Sequence, residues 1–193
     1  MHQSAAKFKT EFIHRVVPAD IRIIELRCWA RIFSEKGLTP FKDGFFCGNL
    51  SFRLNSRENR FIITASQIGI QENLPDSGFV LVENCDFDSG VVKVIGLRDP
   101  SSESFLHSAI YLARPEVNFI FHGHSNKILA NVDNLNLVVT NTSPPYGTVA
   151  FARSALEVLG QNNFIIMRDH GFVALGKTAD EAGKYAIEVL ERI

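Results

Sequence analysis

A chain of 193 residues, 46% hydrophobic and with 16 Phe, is long enough to bury a core without disulfides or a structural metal. Its formal net charge of −1 leaves no basic excess to neutralise a phosphate backbone, which argues against nucleic acid as a partner. Apolar runs such as VNFIF fall far short of the roughly 20 residues of a membrane span, which argues against a membrane as well.

The opening MHQSAAKFKTEFIHRVVP has no continuous apolar stretch of the secretory kind. Cys28, Cys47 and Cys85 are odd in number and widely spaced, which suits a reducing compartment. The expectation is a cytoplasmic protein with one domain over residues 1–193, of which 1–17 form an N-terminal segment.

In chain order, PADIRIIELRCWARIFSEKG (Pro18 to Gly37) sets Ile23, Leu26, Ala30 and Phe33 at helical spacing between an opening proline and a closing glycine, which predicts an amphipathic helix. NLSFRL and RFIITAS, apolar and β-branched on either side of NSRENR, predict a strand, a turn and a strand. GFVLVEN and VVKVIG flank CDFDSG as a second hairpin. In DPSSESFLHSAIYLARP the period changes: Phe105, Leu106, Ala109, Ile110 and Ala113 mark a helix face, with Asp99 as N-cap, Pro100 at the first helical position and Pro115 as the stop. VNFIFHGHS and NLNLVVTN predict strands, FARSALEVLG a helix ended by Gly160, and NNFIIMRDHGFVALGK two strands across a tight turn. TADEAGKYAIEVLERI opens with Thr178 and Glu181 in capping-box spacing and predicts a last helix. Without repeats or linkers, the pattern is that of a single α/β domain.

Alternate residues of a strand share a face, so His122 and His124 could both reach one cation at about 2.0–2.1 Å. Alone they read first as two strand-end histidines bonded to backbone or water, because two ligands do not hold zinc firmly. His170, in the turn of MRDHGF, is a third candidate, since a catalytic zinc takes three protein ligands and keeps one open position. His107 lies mid-helix in an apolar pattern and reads as a packed or supporting histidine; His2 and His14 are assigned no role. Glu103 follows Ser101 and Ser102 in the first turn of its helix, a place that reads first as capping with an acidic first-turn residue and second as an anion site. A carboxylate beside a metal is also the usual means of moving a proton next to a polarised carbonyl. Asn49 in CGNLSFR, and Ser66 with Gln67 in TASQ, put further polar groups at strand ends.

Taken in order, GNLSFR, IITAS, SSE at a helix start, LHSAIYLARPEVNFIFHGHS, PPYGT and DHGFVALGKTADEA resemble the class II aldolase/adducin family, from about Arg22 to Glu191. The resemblance implies a three-layer α/β/α fold with a central, largely antiparallel sheet, assembled as a homotetramer with sites at subunit contacts. It implies Zn2+, or another divalent metal such as Mn2+ or Co2+, held by His122, His124 and His170. Glu103 then matches the family's catalytic acid/base, and Asn49, Ser66, Ser101 and Ser102 match positions that hold a substrate phosphate. The implied activity is that of a metal-dependent aldehyde-lyase cleaving a sugar phosphate or related hydroxy-ketone. Epimerases, dehydratases and decarboxylases of the family are alternatives, as is a non-catalytic adducin-like binding domain. Gln67 departs from the pattern, because the family's aldolases usually carry glycine there. A glutamine is expected to take up space and to forgo the positive-φ geometry that lets backbone approach a phosphate. The stretch between His124 and PPYGT also looks shorter than in sugar-phosphate aldolases, which leaves Tyr146 without an aligned role.

Overall fold

Strand β1 (Lys9–His14) precedes helix α1 (Ile23–Glu35), and a short hairpin, β2 (Phe41–Lys42) and β3 (Phe45–Phe46), leads into β4 (Asn49–Arg53) and β5 (Phe61–Thr64). A single 3-10 turn, Asp76–Gly78, opens the hairpin of β6 (Phe79–Asp86) and β7 (Val91–Ile95). Then follow α2 (Ser104–Ala113), β8 (Phe119–Gly123), α3 (Asn126–Leu129), β9 (Val138–Val139), α4 (Val149–Leu159), β10 (Phe164–Met167), β11 (Gly171–Gly176) and α5 (Ala179–Glu191). This computed structural model describes residues 7–42, 45–68 and 74–193, so His2 lies outside the described residues.

One 9-stranded sheet runs in the order β1-β7-β6-β5-β4-β8-β11-β10-β9. Its two outermost pairings, β1 with β7 and β9 with β10, are parallel, and every pairing between them is antiparallel. The expected α/β class with a largely antiparallel mixed sheet is therefore the fold observed. Helices cover both faces, and β8 shows how its alternation sorts them. Phe119, Phe121 and Gly123 face α1 and α5: Phe121 meets Phe33 edge-on at 5.6 Å, and Trp29, which packs on Phe121 at 6.1 Å, donates its Nε1–H to Asp180 at 3.3 Å. Ile120 and His122 face the other way, toward the layer made by α2 and α4. The Gly between the two histidines is required by packing, because a Cβ at Gly123 would lie 2.5 Å from the Phe172 ring and 2.6 Å from the Leu38 carbonyl oxygen.

The core is rich in fully buried Phe, including Phe33, Phe52, Phe61, Phe79, Phe105, Phe121 and Phe172, each worth about 1.5–3 kcal/mol of burial. In α1 the buried stripe is Ile23, Leu26, Trp29 and Phe33, while Ala30 is half-buried, and the helix starts at Ile23 rather than just after Pro18. In α5 the Thr178 hydroxyl accepts from the Glu181 N–H at 3.1 Å, and the Glu181 carboxylate accepts from the Lys177 N–H at 2.7 Å, so the expected cap forms with its return bond one residue further out.

Three expectations are corrected. KTEFIH in the N-terminal segment, to which the sequence assigns no element, is strand β1, with Lys9 and Glu11 on one face. NLNLVVTN contributes only Val138–Val139 to the sheet. Helix α2 begins at Ser104, not at Pro100, because Pro100 bridges to Ala65 and the Ser101 carbonyl takes the Ser104 N–H at 3.1 Å and its hydroxyl at 2.7 Å. No helix among the described residues is long and apolar enough to cross a membrane.

Candidate functional site

The antiparallel pairing of β8 with β11 sets Gly123 opposite Phe172, which brings the C-terminal end of β8 and the N-terminal end of β11 to one edge of the fold. His122 ends the inward row of β8, and His124 stands just past the strand, its N–H bonded to the Leu38 carbonyl at 2.7 Å. His170 closes a tight turn in which its own N–H reaches the Met167 carbonyl at 3.0 Å and Asp169 takes φ 58. Thr140 pins that turn, its carbonyl accepting from Arg168 Nε at 2.9 Å and its hydroxyl from the Arg168 N–H at 3.0 Å. Gly171 follows because a Cβ there would lie 2.4 Å from the Gly123 carbonyl oxygen and 3.0 Å from Cε1 of His122.

The three imidazoles converge, with one ligand atom from each lying within 4.8 Å of the others. Nε2 of His122 and Nε2 of His124 are 3.0 Å apart, the His122 and His170 rings stack at 5.1 Å, and the His124 and His170 rings meet edge-on at 4.6 Å. His122 Nδ1 is 2.8 Å from the Phe172 carbonyl, which can only accept, so the hydrogen sits on Nδ1 and Nε2 offers its lone pair.

Glu103 completes the cluster. Its Oε1 accepts from His170 Nε2 at 2.6 Å, while Oε2 lies 3.1 Å from His122 Nε2 and accepts from Asn49 Nδ2 at 2.8 Å. Asn49 is within reach because β4 pairs it directly with His122. Glu103 is the N-cap residue of α2, not part of its first turn as the sequence suggests, and its side chain makes no capping bond. The carboxylate is thus directed at the histidines.

Electrostatics sharpen this arrangement. Burial alone pushes the Glu103 carboxyl up, but His122, His170 and the Asn49 amide outweigh it and hold the group below the ordinary carboxylate range. Burial, with His122 and His170 adding to it, pushes His124 down to about 3, and burial likewise lowers His122 against the pull of Glu103. Neutral His122 and His124 imidazoles beside an ionised carboxylate are suited to receive a divalent cation. Two nitrogens bound tetrahedrally at about 2.0–2.1 Å lie about 3.3 Å apart, close to the geometry of His122 and His124.

The remaining candidates gather at the same end of the central strands. Ala65 bridges Pro100 and the Ser66 N–H bonds the Asp99 carbonyl at 3.0 Å, which lays TASQ alongside DPSSE. The buried Ser101 hydroxyl is engaged locally, accepting from the Glu103 N–H at 3.3 Å, while Ser102 and Ser66 are half-buried. Gln67 corrects the expectation set for it: it is exposed and adopts φ 55, so the left-handed geometry is kept, at a cost of about 1–2 kcal/mol for a residue with a Cβ.

Two aromatic rings flank His170: Tyr146, which residue patterns leave without an aligned role, and Phe151, which they do not mark. Tyr146 stacks on His170 at 5.5 Å and Phe151 meets it edge-on at 5.0 Å. A turn over Pro145 to Thr148, tied by the Thr148 hydroxyl to the Pro145 carbonyl at 2.7 Å, presents Tyr146 there with its ring partly exposed. His14, by contrast, lies exposed on β1 and belongs to no cluster found among the described residues.

A mixed sheet covered by helices on both faces is the architecture of solved sugar-phosphate aldolases. An L-fuculose 1-phosphate aldolase superposes with TM-score 0.73 at 22% identity, covering 91% of this chain and 84% of that one. A sugar-phosphate aldolase from Thermotoga maritima gives TM-score 0.66 at 21% identity, with 88% and 93% covered. The chain belongs to the family described as Class II Aldolase and Adducin N-terminal domain, which it matches over residues 25–193. Two relatives are alike in sequence. A 5-methylthioribulose-1-phosphate/5-deoxyribulose-1-phosphate aldolase of Rhodospirillum rubrum is 29% identical over 111 residues, 50% of this chain and 50% of its own. A methylthioribulose-1-phosphate dehydratase of Yersinia enterocolitica is 31% identical over 127 residues, 64% of this chain and 54% of its own. The chain spans about half the length of the curated relatives it matches.

Proposed function

We propose that the protein is a metal-dependent aldolase that reversibly cleaves a sugar phosphate or related hydroxy-ketone. The observation carrying this reading is the carboxylate of Glu103, a residue only 3% exposed, bonded to His170 at 2.6 Å beside three convergent imidazoles. His122, His124 and His170 would hold Zn2+ or another divalent ion such as Mn2+ or Co2+. When bound, that ion supplies Lewis acidity toward carbonyl and hydroxyl oxygens of the substrate.

The chain's own groups do the rest. Glu103, ionised in the resting site, is the acid/base. In the cleavage direction the Glu103 carboxylate takes the proton of the hydroxyl on the aldehyde-side carbon. The O–H electron pair becomes the new C=O bond as the C–C bond breaks with its pair left on the ketone-side carbon, and the Glu103 carboxyl then gives the proton to that carbon. In condensation the same transfers run in reverse, the carboxylate first removing that proton from carbon. Asn49 holds one carboxylate oxygen and His170 the other, so the group is aimed before substrate arrives. Ser66, Gln67, Ser101 and Ser102 would receive the substrate's phosphate or other polar head group. We read the protein as a cytoplasmic homotetramer on the family pattern, and sedimentation of the purified chain tests the assembly.

The similarity to a dehydratase favours one second reading, in which the same proton removal by Glu103 is followed by loss of a hydroxyl as water. Retention of three histidines and Glu103 speaks against a purely adducin-like binding role, which has no physical use for them. The test is metal analysis followed by product analysis on 5-methylthioribulose 1-phosphate, 5-deoxyribulose 1-phosphate and L-fuculose 1-phosphate. An aldehyde plus a three-carbon ketone phosphate supports the aldolase, a dehydrated product with its carbon chain intact supports the second reading, and absence of both metal and turnover overturns both.

A further inference from the structure

Strand β4 and helix α2 meet along a seam that is polar throughout. Asn49, Ser51 and Arg53, alternate residues of β4, are buried, and so are Glu103, His107 and Tyr111, which recur at every fourth position. They pair as rungs. Asn49 Nδ2 donates to Glu103 at 2.8 Å. The Ser51 hydroxyl lies 2.7 Å from His107 Nδ1 and 2.7 Å from the Tyr111 hydroxyl. The Arg53 guanidinium donates to the Tyr111 carbonyl and lies over the Tyr111 ring, 4.7 Å from its centroid. Two strand residues advance about 6.6 Å and four helix residues about 6.0 Å, so the two spacings stay in step for three levels.

An apolar seam would hold the helix to the sheet at least as firmly, so its polarity calls for a reason other than strength. Polar rungs fix register: a slip of α2 by one position would leave buried donors and acceptors unpaired along its whole length. The middle rung makes the point most clearly. His107 is 0% exposed and uses one ring nitrogen only, its Nε2 being buried without a hydrogen-bond partner. A phenylalanine would fill that space, against the Phe61 ring 6.5 Å away, with no unpaired nitrogen. What it would lack is the bond to Ser51.

We propose that this ladder is a positioning device and that His107 is a positioning residue for Glu103, fixing where the carboxylate lies relative to His122 and His170 without itself meeting substrate. The inference rests on the acid/base reading of Glu103 given above.

The test compares His107→Phe, which fills the site but removes the rung, with His107→Asn, whose amide can replace Nδ1. Ser51→Ala removes the same rung with little change of volume, should the phenylalanine variant not fold. Circular dichroism and thermal melting select the folded variants. The first measurement is the long-range 1H–15N spectrum of the histidine rings in the 15N-labelled full chain, metal removed by chelation, at about pH 8, where model imidazoles are neutral. The second is deuterium exchange into dihydroxyacetone phosphate by the zinc-loaded protein in D2O.

The expected result for His107→Phe or Ser51→Ala is a shift of the His170 and His122 ring resonances toward those of Glu103→Gln. Exchange is then expected to lose at least about tenfold in kcat with KM little changed, and His107→Asn to restore most of both. Unchanged ring resonances in a folded His107→Phe or Ser51→Ala protein overturn the proposal. If instead the wild type, or the Glu103→Gln variant, exchanges in a way that contradicts the acid/base role, that reading falls while the ring spectra still decide whether the ladder places the carboxylate.

Discussion

Glu103 and His170 stand 67 positions apart in the chain and share a hydrogen bond of 2.6 Å, the carboxylate accepting from Nε2. The bond joins the start of α2 to the turn before β11, across the edge where β8 ends. Neither residue is held by its immediate sequence neighbours; the helix and the turn deliver them separately.

Replacing this carboxylate by its amide is therefore the most direct intervention. Glu103→Gln keeps the size and the bond from Asn49 but cannot exchange a proton, so turnover is expected to fall by about 10²–10⁴-fold. Zinc content should stay near that of the wild type. Inductively coupled plasma analysis beside a steady-state assay checks it, and loss of zinc in step with activity would show that the carboxylate serves chiefly to hold the metal.

His124→Ala removes one of three convergent nitrogens and should cost at least about tenfold in zinc affinity, measured against a competing chelator. His14→Ala, on the exposed face of β1, should leave it unchanged. Equal effects of the two substitutions would mean that the converging imidazoles are not the site of binding.

Gln67→Gly relieves a left-handed backbone at φ 55. Glycine adopts that conformation freely but adds freedom to the unfolded chain, so a net gain of about 0.5–1 kcal/mol is expected, read as a higher urea midpoint with unchanged slope. A destabilised variant would mean that the glutamine side chain makes contacts worth more than the strain.

Acid should destabilise the protein well above the pH at which surface carboxylates titrate. Burial pushes His107 down to about 3 in the fold, whereas an unfolded histidine titrates near about 6.5. Between those values the unfolded chain binds more protons than the folded one, so the stability that neutral His107 supplies is complete above the upper value and is lost as pH falls. Glu103, held below the ordinary carboxylate range, acts in the same direction at lower pH: its contribution is present above the unfolded carboxylate value and disappears as pH falls through its folded one. Urea midpoints at about pH 7.5, 6 and 5 should decline steadily, and less so in His107→Asn, which lacks the ionisable ring. A flat series would contradict the buried, neutral imidazole.

Much of this architecture is legible in the sequence where local periodicity and burial agree. The stripe of α1, the hairpin of β6 and β7, and the Thr178 cap of α5 all follow from spacing and end signals. Strand β1 is not, because neither of its faces, Lys9-Glu11-Ile13 or Thr10-Phe12-His14, carries an apolar row, and its partner β7 lies far along the chain. The start of α2 is misread for a related reason: Asp99 and Pro100 look like a cap, but the tertiary bridge to Ala65 claims Pro100. At the site, the side-by-side reach of His122 and His124 follows from strand geometry. That His170, Glu103 and Asn49 join them depends on pairing between distant strands, which residue patterns alone do not encode. Tyr146 could be named but not given a place, because only a loop sets it over His170.

The two ends of the sheet bear on how the protein behaves when crowded. An open sheet edge is a template on which another chain can add a strand, and long, flat, apolar edges are the dangerous ones. Here one edge is β9, only 2 residues long, and the other is β1, where Lys9 and Glu11 form an ion pair at 2.8 Å. The long apolar strands, β8 and β11 among them, lie in the middle with partners on both sides. The segments with the greatest tendency to stack into fibrils are thus sequestered in the folded molecule, and aggregation should require the sheet to open first.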